Sequence, residues 1–116
     1  ESYLSGRHCD PDTDPATIEH ILPENPSHEW EQTFPRTHWE AAVYRLGNVT
    51  LLNAPANRHA SNAGYREKLA IYRQSTYQLT KSIAELAPEE WTMELLERRQ
   101  RDLARIAKMV WRIDAG

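Results

Sequence analysis

Two short β-prone segments, set far apart in a chain that otherwise favours helix, restrict the fold more than any other feature. The first, Ala16-Thr17-Ile18-Glu19-His20-Ile21-Leu22, is rich in β-branched residues and is closed by Pro23. The second is Leu46-Gly47-Asn48-Val49-Thr50-Leu51-Leu52-Asn53, where Gly47 marks a bulge or a close approach of backbone. Residues 62–74 carry Tyr65, Leu69 and Tyr72 at helical spacing, and residues 76–86 carry Leu79, Ile83 and Leu86 before Pro88 breaks the run. Thr92 reads as the N-cap of a longer helix that reaches about Arg112, with Glu94 and Glu97 near its positive end. Leu96, Leu103, Ala107 and Val110 form its apolar stripe, widened by Leu95, Ile106 and Met109.

The remaining stretches link these elements. Residues 1–15, with Asp10-Pro11-Asp12-Thr13-Asp14-Pro15, read as an irregular entry segment. Residues 23–35 hold Pro23, Pro26 and Pro35 and read as loop, with Trp30 and Phe34 pinning it to the core. Residues 36–45 read as a short helix started by Pro35, with Trp39, Val43 and Leu46 on one face. Ala54-Pro55-Ala56-Asn57 is a turn or the first turn of a helix. The fold class expected is α+β: a small two-stranded unit, within 16–62, embedded in a mainly helical domain with a long C-terminal helix. At 116 residues one domain is expected.

Composition narrows the function classes. No apolar run approaches the ~20 residues of a membrane span, and the N-terminus lacks the order of a signal peptide. Cys9 is the single cysteine, so an intrachain disulfide and a four-cysteine zinc site are both excluded. A cytoplasmic location is expected. The chain begins at Glu1 rather than methionine, and is expected to be a C-terminal piece of a longer protein. The net charge of -3 opposes unaided tight binding to nucleic acid. The charge is uneven, however. Residues 1–60 hold four Lys/Arg against nine Asp/Glu and all five histidines, whereas residues 61–116 hold ten against eight. The first part suits a metal; the second suits a backbone of phosphates or a solvated helix face.

The polar residues on the two β-prone segments fit phosphodiester hydrolysis, which needs a base for water, a cation for the phosphate and a rigid frame. His20 is suited to the base, because an imidazole titrates near neutrality. Glu19 and Asn57 offer oxygen ligands, which suit a hard ion such as Mg²⁺ that keeps several waters. This order of acid, His, Asn and Asn resembles the HNH, or ββα-metal, nucleases. Their pattern implies Glu19 as metal ligand, His20 as general base, Asn48 as the residue that ties the loop and orients the base, and Asn57 as the helix-start metal ligand. His59 is the alternative to Asn57, which is favoured by its offset of nine residues from Asn48. That offset is similar to the HNH domain of RNA-guided CRISPR nucleases.

Ile18-Glu19-His20-Ile21-Leu22-Pro23, Leu46-Gly47-Asn48-Val49-Thr50-Leu51-Leu52, Asn57, Ser61-Asn62, Tyr65 and Lys68 continue one pattern, which ends with Trp91, Arg98 and Trp111. Together they resemble the C-terminal nuclease domain of GmrSD-type modification-dependent restriction endonucleases and related phage-defence proteins, over nearly the whole chain. The resemblance implies one divalent ion, Mg²⁺ or Mn²⁺, DNA as substrate, and an N-terminal nucleotide-hydrolysing domain in the same protein or a partner subunit. Arg58, Arg66 and Lys68 are the candidate phosphate contacts, set against the plainer reading of solvated side chains. Arg98, Arg99, Arg101, Arg105 and Lys108 read as a wet face, with Arg98 able to pack back onto the site. Trp30, Trp39, Trp91 and Trp111 read as core, and Asn62 as a helix cap. His8, Cys9 and His28 follow no familiar zinc spacing. Two functions from different classes follow: a metal-dependent DNA endonuclease, or a catalytically silent DNA-binding or assembly module of a restriction complex. Metal binding separates them.

Overall fold

A computed structural model describes residues 15–115. Strands β1 (Ala16–His20) and β2 (Val49–Asn53) pair antiparallel, with Ala16 opposite Asn53 and His20 opposite Val49. Opposed residues share a face, so Thr17, Glu19, Thr50 and Leu52 lie on one side and Ile18, His20, Val49 and Leu51 on the other. The first side is internal: Glu19, Thr50 and Leu52 are buried, while Ile18 on the other side is exposed. Helix α2 (Ala54–Ala60) follows β2 without a loop. Asn53 ends the strand and caps the helix, its side chain accepting from the Ala56 N–H at 2.9 Å. Pro55 sits in the first turn, where a missing N–H costs nothing.

This ββα unit is braced by α3 (Tyr65–Arg73), α4 (Gln78–Leu86) and α5 (Met93–Ala115), while α1 (Trp39–Val43) lies in the connection between the strands. Trp30, Phe34, Tyr72, Ile83, Trp91 and Leu96 join in one buried core. The expected α+β class, the paired strands and the long last helix are all present. Thr92 caps α5 as expected, accepting from the Leu95 N–H at 3.2 Å. Trp30 and Phe34 hold the proline-rich loop as expected, around a short 3₁₀ turn at His28–Gln32. No helix among the described residues is long and apolar enough to cross a membrane.

Several details differ from the sequence expectation, among them residues 36–45, where a 3₁₀ turn at Arg36–His38 precedes α1. Leu46–Asn48 is a 3₁₀ turn rather than strand, because the Asn48 N–H turns back to the Arg45 carbonyl at 2.9 Å. Leu46 consequently points outward, away from the face of Trp39 and Val43. The cap of α3 is Gly64, not Asn62, which lies in the preceding turn. The stripe of α5 is covered at Leu96, but Ile106 and Met109 are exposed. His8, Cys9 and the entry segment lie outside the described residues, as does the side chain of Trp111.

Candidate active site

Asn48 is fully buried and uses its amide completely. Its Oδ1 accepts from the Leu22 N–H at 2.9 Å and from Trp91 Nε1 at 3.1 Å, and its Nδ2 donates to the carbonyls of Leu22 and Val43, each at 3.0 Å. Its own carbonyl accepts from the Ile21 N–H. Asn48 therefore staples the chain just after His20 to the start of β2 and to the helical half. An Asp could accept but not donate, so only the amide satisfies both sets. Beside it, Gly47 presses on α5. A Cβ there would lie 2.4 Å from the Leu96 carbonyl, which is the close approach anticipated for this glycine. Arg99 completes this brace by donating to the carbonyls of Gly47 and Val49. It is buried rather than part of a wet face, and burial lowers its pKa to about 10. Arg98, in contrast, stays exposed.

Glu19 and His20 are neighbours on a strand, so they face opposite sides. Glu19 is buried with Lys68 and Tyr72, and its Oε2 accepts from Lys68 Nζ at 2.6 Å and from the Tyr72 hydroxyl at 2.7 Å. Lys68 also donates to the carbonyls of His20 and Ser61. Burial lowers the Lys68 pKa against the pull of Glu19, and burial together with Glu19 raises that of Tyr72. Lys68, expected as a phosphate contact, has no exposed surface, because it lies on the inner face of α3 among Tyr65, Leu69 and Tyr72. Glu19 is likewise half committed, since Oε2 is taken and Oε1 alone remains for another role.

His20 is half-buried at one wall of a polar cleft of about 260 Å³, lined also by Glu19, Glu24, Asn25, Asn57, Ser61 and Asn62. Asn57 is anchored by its nitrogen: Nδ2 donates to Thr17 Oγ1 at 2.7 Å and to the Ile18 carbonyl at 2.9 Å. The Ile18 carbonyl can only accept, so the amide atom facing it is Nδ2, the amide orientation is set and Oδ1 is left for other partners. Among the residues of α2, Asn57 and not His59 lines this cleft. His59 borders a separate one with Ile71 and Gln74. Arg58 is exposed on α2 next to Asn57. Arg66 lies elsewhere, in a cleft with Glu29, Glu67, Glu89 and Glu90. The sequence reading also passed over Glu24 and Tyr44. Tyr44 packs edge-on against the His20 ring and donates to Glu24 Oε2 at 2.6 Å.

The family described as the C-terminal domain of GmrSD restriction endonucleases matches residues 1–106. The chain belongs to this family. No curated protein and no solved structure matches it. Membership ties the domain to restriction endonucleases, which act on DNA, and supports a nuclease. Nucleases of this kind usually take a divalent metal. Among the described residues of this GmrSD C-terminal domain, no three His, Cys, Asp or Glu side chains converge as a metal cluster. Glu19 and Asn57, the two oxygen donors expected from the sequence, both line the His20 cleft, and Asn57 Oδ1 accepts no hydrogen bond among the described residues. Such a sparse oxygen set fits a hard ion that keeps most of its waters.

Proposed function

We propose that this GmrSD C-terminal domain is a metal-dependent HNH endonuclease that hydrolyses DNA phosphodiesters in the restriction of foreign or modified DNA. The whole of residues 1–116 would form the nuclease unit, acting in the cytoplasm beside a nucleotide-hydrolysing N-terminal domain or partner. The observation that carries the reading is one polar cleft holding both His20 and an Asn57 whose nitrogen is anchored and whose oxygen is free. His20 accepts the proton of the attacking water. Asn48 keeps the chain after His20 in place and is a positioning residue. Asn57, with the remaining oxygen of Glu19, would hold one Mg²⁺ or Mn²⁺. When bound, that ion would neutralise charge on the phosphate and the leaving oxygen. Arg58 is the cation best placed for the backbone. One such cleft makes one cut, so a monomer nicks.

The test is relaxation of supercoiled plasmid with Mg²⁺, Mn²⁺ or EDTA, with the parent run beside His20→Ala. Metal-dependent nicking lowered ~10²-fold or more in the variant supports the reading. Equal cutting by both removes His20 from the base role. A second reading, a silent assembly module, is favoured by one observation: of three expected phosphate-binding cations, Lys68 is buried and Arg66 sits among glutamates. A silent module would bind neither metal, so calorimetry with Mn²⁺ separates the two.

A further inference from the structure

Tyr44 is 69% exposed, so burial of its ring does not explain how it is held. It follows α1 and is fastened at two points. Its hydroxyl donates to Glu24 Oε2 at 2.6 Å, and its ring meets the His20 imidazole at a centroid distance of 5.5 Å and an interplanar angle of 88°. That is the edge-to-face geometry aromatic rings prefer. Glu24 itself lines the cleft with His20 and Asn57.

We infer that Tyr44 is a positioning residue for His20, fixing the rotation of its imidazole, and that Glu24 anchors Tyr44 by its hydroxyl. The inference rests on the proposed role of His20 as base. A base serves only if its lone pair points at the water it deprotonates, and rotation about two side-chain bonds is otherwise inexpensive. The backbone of His20 is fixed by Lys68 and by the bonds to Asn48 just beyond it, but neither acts on the ring. Tyr44 does. Glu24 also raises the pKa of the Tyr44 hydroxyl by accepting its hydrogen bond.

The test uses a series of variants with histidine-labelled protein, the His20 resonances being assigned from their loss in His20→Ala. In Tyr44→Ala the His20 ring resonances shift and broaden, and nicking falls roughly 2- to 10-fold, the ratio that an edge-to-face contact sets between rotamers. Glu24→Gln keeps an acceptor oxygen, and its His20 ring resonances match the parent's. Tyr44→Phe and Glu24→Ala each lose the same bond, fall between the extremes, and combine without further loss. Tyr44 is exposed, so the variants fold, and circular dichroism checks this. Unchanged His20 resonances in Tyr44→Ala overturn the inference. So does a double variant whose losses add. The spectra are recorded without DNA, so a domain that cuts nothing would fail the nuclease reading and still test the role of Tyr44.

Discussion

Replacing Lys68 with Met separates a structural cation from a substrate-binding one. The variant keeps most of the buried stem but removes the ammonium from a pocket where both partners are enclosed, Lys68 fully and Glu19 nearly so. Three bonds are lost at once, to Glu19 Oε2, to the His20 carbonyl and to the Ser61 carbonyl. Glu19 is left as a buried carboxylate with Tyr72 as its one donor among the described residues. Breaking a buried pair from one side costs about 3–5 kcal/mol. A domain of this size has roughly 5–15 kcal/mol in total, and each kcal/mol moves Tm by several degrees. Lys68→Met should therefore lower Tm by roughly 10–20 °C, and urea denaturation should show the same loss with an unchanged slope. Adding Glu19→Gln removes the stranded charge and should restore much of the stability, since Gln still accepts from Tyr72. A Lys68→Met protein within ~1 kcal/mol of the parent would refute the argument. If that protein instead lost about one unit of salt slope in DNA binding, Lys68 would be a phosphate contact after all.

Two further outcomes follow from the brace around the site. Gly47→Ala places a Cβ 2.4 Å from the Leu96 carbonyl, so α5 must shift, and a stability loss of about 1–3 kcal/mol by urea denaturation is expected; a neutral result would show that α5 is free to move. Alkaline pH probes Tyr65, whose hydroxyl donates to the Ala87 carbonyl at 2.7 Å and whose pKa is raised chiefly by burial. A raised pKa means the native state keeps the proton that the unfolded chain gives up near pH 10, so the stabilisation is full below pH 10 and falls above it. Lys68 and Arg99, with lowered pKa values, act with the opposite sign in that range, so a variant is needed to isolate Tyr65. Tyr65→Phe should cost about 1–3 kcal/mol at pH 7, and its deficit should shrink by about 1.4 kcal/mol per pH unit above 10. A deficit that stays constant to pH 11 contradicts the burial of the hydroxyl.

What was readable in the sequence is what local chemistry decides. The β-prone runs, the Thr92 cap and the helical spacings each depend on residues a few positions apart, and each appears in the fold, except that Leu46–Asn48 forms a turn and Ile106 and Met109 are exposed. The use of Asn53 as a cap and Gly47 as a contact point was half visible, because turn residues admit several roles. Distant partners were not readable. Nothing near Glu19 announces that Lys68, 49 residues on, takes its charge. Nothing near His20 announces Tyr44.

Lys68 nevertheless carried a signal that its type concealed. It lies three residues after Tyr65, one before Leu69 and four before Tyr72, on the stripe that marks the inner face of α3. A lysine on an apolar stripe needs a buried acid, and the chain offers one beside its candidate base: a glutamate on a strand, facing the core by alternation while its neighbour His20 faces out. Alternation and periodicity, applied together, would have paired the two. The same logic separates the roles of the adjacent residues. Glu19 locks β1 to α3 from within, and His20 is thereby presented to the cleft on the other side of the same strand. The ion pair thus serves the site chiefly by fixing the backbone that carries the base, and it would do so whether or not Glu19 also touches a metal.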